Sequence, residues 1–503
     1  MVAMTRRLGD GSVLSVLRSP KRLRVEVLAG LVVALALIPE AISFSIIAGV
    51  DPRVGLFASF TMAVTIAITG GRPAMISAAT GAVALVIAPV VREHGLDYLI
   101  ATVILAGVFQ VLLSAVGVAK LMRFVPRSVM VGFVNALAIL IFTAQLPHLL
   151  GVPWLVYPLV AAALVIIVLL PKITGVVPAP LVAIVVLTAA ALLFSLDVPN
   201  VGDEGELPSS LPSLLVPHIP WTLGTLKIIA PFALAMALVG LMESLMTAKL
   251  VDDITDTHSD KTREGWGQGV ANIVTGFFGG MGGCAMIGQT MINVKVSGAR
   301  TRISTFLAGV FLLILVVGLG GLVAKIPMAA LVAVMIMVSV GTFDWHSIAP
   351  KTLRRMPIAE TTVMVVTVAV TVVTHNLAIG VVVGVLAAMI AFAHRVAHFT
   401  EVTPVSEPGA VEDESGTRVY KVRGELFFAS SNDLVYQFDY TGDPAHIVID
   451  MSETHIWDAS TVAALDAITT KYATRGKTVK IIGLNPASEA RRDRLSGHLA
   501  GAH

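Results

Sequence analysis

The chain has 503 residues and a formal net charge of +2 at pH 7, with 56% hydrophobic and 14% charged residues. This composition is typical of an integral membrane protein and excludes a string of ordinary soluble domains. The small net charge and the 6% aromatic content do not favour nucleic-acid binding. The single cysteine, Cys284, excludes an internal disulfide framework, and no Cys/His cluster predicts a metal site. We expect no cofactor and no enzymatic activity, because no activated nucleophile, phosphate loop or metal cluster is assembled.

Apolar runs interrupted by Gly, Pro and charged residues predict about fourteen membrane segments. The first seven are 25–45, 54–69, 80–91, 97–119, 128–147, 154–170 and 179–196. The second seven are 225–248, 267–280, 285–297, 302–324, 328–342, 358–374 and 377–394. Several are shorter than the roughly 20 residues that a straight transmembrane helix needs. We therefore expect some of them to be tilted, or to be half-helices that meet inside the protein.

Basic residues indicate which ends of the segments are cytoplasmic. They cluster before the first segment, after the fourth and after the twelfth: Arg6, Arg7, Arg18, Lys21, Arg22 and Arg24, then Lys120, Arg123 and Arg127, then Lys351, Arg354 and Arg355. The loop 197–224 has acids and prolines but no Lys or Arg, which predicts the outside. Residues 1–24 are therefore a basic cytoplasmic N-terminus, and the run from Val25 lacks the cleavage site of a signal peptide. An even number of segments returns the C-terminus to the cytoplasm, and we expect the protein in the cell membrane.

The composition changes after the last apolar run. Residues 397–415 read as a polar linker, and 416–503 read as a small cytoplasmic α/β domain. Short strands are predicted at 419–422, 447–451 and 478–483, and a helix is predicted at 459–475.

The transmembrane part, 25–396, shows a weak internal repeat. Glu40 and Glu243 are 203 residues apart, and Pro126 and Pro327 are 201 apart. The repeats are about 25–196 and 225–396, and seven segments in each half require the second half to run inverted. The Gly-rich stretches GGRPAMISAATGAVAL and GGMGGCAMIGQTMINV occupy matching places. In inverted-repeat transporters such interrupted segments indicate the binding site.

These stretches predict an anion site made from backbone. Short helices that begin inside the membrane present free N–H groups and the positive end of the helix dipole. We expect such ends near Thr80 and near Cys284, where small side chains allow a ligand to approach the backbone. The alternative is that glycine and alanine there only allow close helix packing.

Two carboxylates lie inside apolar segments, Glu40 in the first and Glu243 in the eighth. A carboxylate there usually faces a cavity, pairs, or carries protons or ions. Glu243 is the better candidate for carrying a proton; alternatively, Glu243 and the Thr247 hydroxyl hold Na⁺. A structural carboxylate bonded to backbone is the other interpretation, particularly for Glu40, because Pro39 interrupts its helix.

Four stretches of the chain resemble the SulP sulfate-permease family of anion transporters: LAGLVVALALIPEAISFSIIAGVDPRVGLFAS, GGRPAMISAATGA, RFVPRSVMVGFVNALAILIF and GVANIVTGFFGGMGGCAMIGQTMINVKVSGARTR. VIDMSETHIWDASTVAAL is similar to the signature of a STAS domain. The resemblance implies an α-helical membrane protein with a seven-plus-seven inverted repeat, divided into core and gate domains and followed by a cytoplasmic STAS domain. It also implies an elevator-like movement of the core, homodimers, and an anion held between the N-termini of helices 3 and 10.

The resemblance also implies the site residues. The anion would contact Phe44, Thr80, Gly81, Cys284, Ala285, Met286 and Gln289, and the coupling ion would involve Glu40, Glu243 and Thr247. Some family members carry a basic residue near the start of helix 10, where this chain has Thr290. A cotransported H⁺ or Na⁺ at Glu243 is then an attractive way to balance the anion. Ala459 replaces the phosphorylatable serine of related anti-sigma antagonists, so we expect no phosphorylation switch there.

The function predicted is secondary active transport of a small anion, namely sulfate, bicarbonate or a dicarboxylate such as fumarate, coupled to H⁺ or Na⁺. Exchange and channel activity remain alternatives, as does a receptor that signals through the STAS domain without transport. Nucleobase symporters resemble this fold, but they usually carry a second acid on helix 10, absent from CAMIGQT, and lack a STAS domain. The expected partners are the anion, the coupling ion, the lipid bilayer, a second copy of the chain and an unknown cytoplasmic partner of the STAS domain.

Overall fold

The computed structural model describes residues 13–118, 125–173, 178–220, 222–397, 400–405 and 417–498. The basic residues predicted at 6, 7, 120 and 123, and most of the predicted linker, lie outside these ranges. The chain divides into two compact units, and the boundary falls between Val385 and Leu386.

The first unit is mainly helical, and each predicted segment corresponds to a helical segment of the chain, the last of which continues past Val385. The first seven are α1 (Pro20–Ala48), α2 (Pro52–Thr69), α3 (Gly81–His94), α4 (Leu96–Ala115), α5 (Arg127–Thr143), α6 (Val156–Ile173) and α7 (Ala179–Leu193). The next seven are α8 (Leu223–Thr255), α9 (Lys261–Phe277), α10 (Ile287–Met291, continued by the π-helix Ile292–Val296), α11 (Arg302–Val323), α12 (Met328–Thr342), α13 (Ile358–Thr374) and α14 (Leu377–Ala397).

Among the described residues, eight helices are long and apolar enough to cross a membrane by length and composition: α1, α2, α4, α5 with the 3-10 turn that follows it, α6, α8, α11 and α14. Three more, α7, α12 and α13, are apolar but shorter. The number of segments that span the bilayer therefore stays a prediction. The largest difference in bounds is in α8, which continues beyond the predicted end at 248 to Thr255 because its last turns carry polar residues that a hydropathy reading discards.

Close packing between several helices of the first unit depends on glycine. A Cβ at Gly107 of α4 would lie 2.6 Å from the Gly269 carbonyl oxygen of α9, and a Cβ at Gly269 would lie 2.6 Å from the Gly107 carbonyl oxygen. Gly30 of α1 is similarly close to the Ser304 carbonyl oxygen of α11, at 2.9 Å. Backbones that approach this closely gain van der Waals contact, which drives helix association in a bilayer.

Two short strands also lie in this unit, β1 (Ser77–Ala78) before α3 and β2 (Cys284–Ala285) before α10. The second unit contains a sheet in the order β3-β4-β5-β6, formed by Glu401–Pro404, Thr417–Leu426, His446–Ile456 and Thr478–Ile482. The β3–β4 pair is antiparallel and the other two pairs are parallel. Its helices are α15 (Phe428–Leu434), α16 (Ala459–Ala473) and α17 (Pro486–Leu495).

The predicted strands and helix of the second unit coincide with β4, β5, β6 and α16. The sheet begins earlier than predicted, because β3 lies inside the predicted linker and pairs with β4 through Val402 and Val422. The second unit contains a buried carboxylate, Asp443, which accepts hydrogen bonds from the hydroxyls of Tyr420 and Tyr472. Burial, and secondarily the bond to this carboxylate, raises the pKa of Tyr472.

Candidate functional site

The two short strands join the two halves of the membrane unit. They pair antiparallel, with Ser77 opposite Ala285 and Ala78 opposite Cys284. The Met286 amide then donates to the Ile76 carbonyl at 2.9 Å. Because α3 and α10 each begin within three residues of these strands, the pairing holds the two helix N-termini side by side.

Close approach at this junction requires glycine at position 283. A Cβ at Gly283 would lie 1.9 Å from the Ala78 carbonyl oxygen. The Asn272 side chain of α9 binds both backbone groups of Gly283, donating to its carbonyl at 3.1 Å and accepting from its amide at 2.9 Å. In the first half, the Ser59 hydroxyl of α2 accepts the Ala79 amide at 3.3 Å. Each strand is therefore fixed by a polar side chain of the helix behind it.

The helix starts provide donors for a ligand. Thr80 is the N-cap of α3, and its hydroxyl oxygen accepts the Val83 amide at 3.4 Å. Met286 precedes α10 without a side-chain cap. The remaining amides of a first helical turn have no acceptor within their own helix, and the positive end of the helix dipole favours an anion there. No fixed cation is needed for such a site.

A cavity of about 100 Å³ opens in front of these helix starts. Its wall combines predicted site residues with apolar residues of α5 and α12: Glu40, Phe44, Thr80, Gly81, Phe133, Val134, Leu137, Ile141, Glu243, Met246, Met286, Ile287, Gly288, Val338 and Thr342. Phe44 packs directly on the start of α3, since a Cβ at Gly81 would lie 2.9 Å from a Phe44 ring carbon. The volume suits a small ion rather than a large organic substrate.

Glu243 is connected to the start of α3 through the single cysteine. The Cys284 thiol donates to Glu243 Oε2 at 2.9 Å, and Thr80 Oγ1 lies 3.1 Å from Cys284 Sγ. Because the thiol has a single proton and donates it to Glu243, the Thr80 hydroxyl donates to the sulfur. A chain of hydrogen bonds thus runs from the first repeat to the carboxylate of the second.

Glu40 has a different partner, the Gln289 side chain of α10, whose Nε2 donates to Glu40 Oε1 at 2.9 Å. Among the described residues, neither Glu40 nor Glu243 forms an ion pair. Two carboxylates next to an anion site without a basic residue require a proton or a cation for charge balance when the anion binds.

Two further buried glutamates, which the sequence analysis did not single out, are structural. Glu26 of α1 accepts the amides of Arg300, Thr301 and Ser304 at 2.8, 3.0 and 3.1 Å. It therefore caps the start of α11. Three backbone N–H groups donate to Glu26, whereas the two cavity carboxylates receive one donor each.

The second of these glutamates, Glu264 of α9, accepts the amides of Gly71 and Arg72 at 2.7 and 2.8 Å and the Gln268 side chain at 2.9 Å. It anchors the loop that leads into β1. Nothing in the sequence separates these two acids from ordinary charges at helix ends.

Some of the predicted site residues line the cavity and others lie behind it. Glu40, Phe44, Thr80, Gly81, Glu243 and Met286 line the cavity. Cys284 and Ala285 are fully buried behind it, in β2. Gln289 reaches the site through Glu40.

Thr247 does not meet the Glu243 carboxylate, because its hydroxyl donates to the Glu243 backbone carbonyl at 2.8 Å. The Thr290 hydroxyl oxygen is also occupied, since it accepts the Ile76 amide at 3.0 Å. Both hydroxyls therefore satisfy backbone groups of the framework. The Na⁺ site at Glu243 and Thr247 stays a prediction, because a hydroxyl that donates its proton to a carbonyl keeps its lone pairs for a cation.

A larger cavity of about 440 Å³ lies between α1, α7 and α11, but it offers no donors to an anion. Its lining is apolar except for Thr188, whose hydroxyl donates to the Ile184 carbonyl of its own helix at 2.7 Å. In the part of the chain that the structure describes, no group of three or more His, Cys, Asp or Glu side chains is arranged to hold a metal ion.

The helices α3 and α10 come from the two halves of the chain and begin side by side next to the paired strands β1 and β2. Interrupted helices in matching places of two inverted repeats are typical of membrane transporters. The chain belongs to the sulfate permease family, whose model matches residues 23–158 and 154–367, and a STAS domain model matches residues 410–496. It is thus a multi-pass membrane protein of a transporter family, with a C-terminal STAS domain, and not an enzyme.

Similar proteins cover nearly the whole chain. A Bacillus subtilis protein described as "Putative sulfate transporter YbaR" is 55% identical over 93% of this chain and 96% of its own length. The bicarbonate transporter BicA of Picosynechococcus is 25% identical over 94% of this chain and 91% of its own length.

Solved structures agree with this fold. The transmembrane domain of a cyanobacterium bicarbonate transporter BicA has a TM-score of 0.63 at 25% identity, covering 74% of this chain and 98% of that one. Murine Solute Carrier 26 family member A9, described as an anion transporter in the inward-facing state, has a TM-score of 0.78 at 17% identity. That match covers 93% of this chain and 87% of the murine protein, and it shows the fold alone.

Proposed function

We propose that the protein is a secondary active transporter of a small anion, coupled to H⁺. The anion binds between the N-termini of α3 and α10, and the helices that carry it move in an elevator-like manner against the rest of the membrane unit. The observation that carries the proposal is the cavity in which two helix starts face two carboxylates without an ion-pair partner among the described residues.

The substrate is proposed from size and from the similar proteins. Relatives described as sulfate and bicarbonate transporters support a small oxyanion, and a short dicarboxylate such as fumarate offers the same chemistry. Helix starts bind such groups through backbone amides. The binding residues are Phe44, Thr80, Gly81, Met286 and the backbone behind them at 284–285, with Gln289 close by.

Proton coupling is favoured over Na⁺ coupling by one contact. A sodium site needs several oxygen ligands, whereas most side chains that line the cavity around Glu243 are apolar. Glu243 instead receives a single thiol donor, so gain and loss of a proton require little rearrangement. Sodium symport, anion exchange and channel conduction are the alternatives that the test must separate.

The test is uptake of labelled sulfate, bicarbonate and fumarate into proteoliposomes, with and without an inward proton gradient. Wild-type protein should accumulate one of these anions faster under the gradient. Glu243→Gln should transport without responding to the gradient. Glu93→Gln is the matched control, because the Glu93 side chain is 67% exposed on α3 and lies outside the cavity.

Other outcomes assign other functions. Stimulation by a sodium gradient alone would indicate Na⁺ symport, and uptake that requires anion inside the vesicle would indicate exchange. Flux that does not saturate with anion concentration would indicate a channel. Saturable binding without flux would indicate a receptor.

We further propose that the protein lies in the cell membrane with both termini in the cytoplasm, as a homodimer. The support is the distribution of basic residues, with Arg127 and Lys351 at the ends that are assigned to the cytoplasm. The STAS domain, proposed to begin near Gly416 after a short linker, would then bind a cytoplasmic partner. Accessibility of engineered cysteines in a Cys284→Ser background tests the orientation.

A further inference from the structure

A buried carbonyl on α10 lacks a hydrogen-bond donor. The Gln289 side chain is 3% exposed, and its Nε2 donates to Glu40 Oε1 at 2.9 Å. Its Oε1 is buried and accepts no hydrogen bond from the described residues. Buried polar atoms without partners are rare and require an explanation. A donor that is present only in another protonation state of the neighbouring carboxyl group is such an explanation.

A protonated Glu40 would supply this donor. A carboxylic acid presents one O–H and one C=O, and a primary amide presents one N–H and one C=O on the same side. The two groups can therefore form two hydrogen bonds, whereas a carboxylate forms only the N–H bond seen here. The Gln289 amide is complementary to both protonation states of Glu40.

We infer that Glu40 and Gln289 together form a proton-binding site of the transporter, in addition to Glu243, with Gln289 as its positioning residue. The proton passes from cavity water to a Glu40 carboxyl oxygen and returns to water on the other side, and no other bond forms or breaks. This inference rests on the proposed proton-coupled transport. It changes the role of Gln289 from a ligand of the anion to a partner of the proton site.

The surroundings of Glu40 suit reversible protonation. The cavity lining includes one other titratable group, Glu243, which is bonded to Cys284. On the neighbouring elements, the Lys295 side chain is exposed and Arg302 donates to the Ala67 carbonyl. An Arg or Lys in place of Gln289 would hold the carboxylate permanently ionised, whereas a neutral amide allows the proton to be gained and released.

Protonation would also strengthen the contact between α1 and α10. One hydrogen bond joins these helices in the ionised state, and two would join them in the protonated state. Because Glu40 lines the anion cavity and Gln289 lies one turn into α10, the stronger contact closes around the anion site. Proton loading and anion loading then favour the same conformation, which is the requirement for symport.

The test separates proton release from anion binding. Proteoliposomes with Gln289→Met are compared with wild type in two assays: net uptake of labelled sulfate driven by a proton gradient, and sulfate–sulfate exchange at equal pH on both sides. Bicarbonate or fumarate replaces sulfate if the wild type accumulates that anion instead. Exchange requires no proton release, so we expect it to fall at least about fivefold less than net uptake does. Net uptake should fall by about tenfold or more, because the ionised Glu40 would be left without its donor.

Gln145→Met is the matched control. Gln145 is another buried glutamine, and its Nε2 donates only to a backbone carbonyl, that of Ile141, at 3.4 Å. Both assays should remain at wild-type levels in this variant. If Gln289→Met does not fold, Glu40→Gln replaces it, since an amide pair mimics the protonated state and should lose gradient-driven uptake to a much greater extent than exchange.

Three results would overturn the inference. Equal loss of net uptake and exchange in Gln289→Met would assign Gln289 to anion binding. Unchanged gradient-driven uptake in this variant would show that the amide has no role in coupling. In Glu40→Gln, gradient-driven uptake at wild-type level would exclude Glu40 as a proton site. A wild-type protein that does not respond to the gradient would refute the proposed function itself, which distinguishes the two failures.

Discussion

Substitution of Gly283 by alanine tests the junction between the two strands. The added Cβ would lie 1.9 Å from the Ala78 carbonyl oxygen and 2.6 Å from its carbonyl carbon. Real Cβ atoms do not approach closer than about 3 Å, so the strands must separate by roughly 1 Å. Overpacking costs about 1–3 kcal/mol, and we expect the upper end because backbone atoms cannot rotate away. Loss of a hydrogen bond across the junction adds about 1 kcal/mol.

The single cysteine provides the assay. Cys284 is fully buried next to the substituted residue, so a thiol-reactive fluorescent dye reports when the junction opens on heating. We expect the melting temperature of Gly283→Ala to be roughly 5–10 °C below wild type, and its anion uptake to be lost. Gly321→Ala is the control, because a Cβ at this position in α11 meets nothing within 4 Å. A Gly283→Ala variant that melts at the wild-type temperature and transports normally would refute the reasoning.

Two further predictions concern one hydrogen bond in each unit. Cys284→Ala removes the donor to Glu243 and should lower the initial rate of anion uptake by about tenfold. Cys284→Ser keeps a donor and should retain most of the wild-type uptake rate. An equal loss of uptake rate in both variants would show that the sulfur acts through its size. Burial, followed by the bond to Asp443, raises the pKa of Tyr472 above its unfolded value of about 10, so the neutral hydroxyl stabilises the folded protein fully below pH 10, and this contribution declines progressively as the pH rises from 10 towards the folded-state pKa. In an alkaline titration followed by tyrosinate absorbance and circular dichroism, Tyr472 should ionise only together with unfolding; ionisation of Tyr472 in the folded protein would contradict this.

The helices could be predicted because a bilayer imposes long apolar runs, and the cavity carboxylates because a charge inside such a run is conspicuous. Glu40 and Glu243 were found in this way. The two short strands β1 and β2 were not predicted, because two residues cannot show a period-two pattern. Their positions were nevertheless marked by the matching Gly-rich stretches, since close backbone approach excludes larger side chains there.

The partners of the carboxylates could not be predicted. Gln289 reaches Glu40 from the other repeat, and nothing local to either residue indicates the pairing. The apolar wall contributed by α5 and α12 was also missed, because residues such as Phe133 and Val338 look the same whether they face a cavity, another helix or lipid. A hydropathy reading identifies depth in the membrane but not the direction in which a side chain points.

The pairing of β1 with β2 has a consequence for biogenesis. During synthesis, Ser77 and Ala78 leave the ribosome about two hundred residues before Cys284 and Ala285, so their backbone groups enter the membrane without their final partners. Unpaired amides and carbonyls are costly in hydrocarbon, and the first half of the chain must keep them hydrated or covered until the second half arrives. Insertion of this protein therefore cannot be completed helix by helix. The first half reaches its final structure only when β2 of the second half pairs with β1. A chain truncated before Cys284 should therefore be degraded by the quality-control proteases of the membrane.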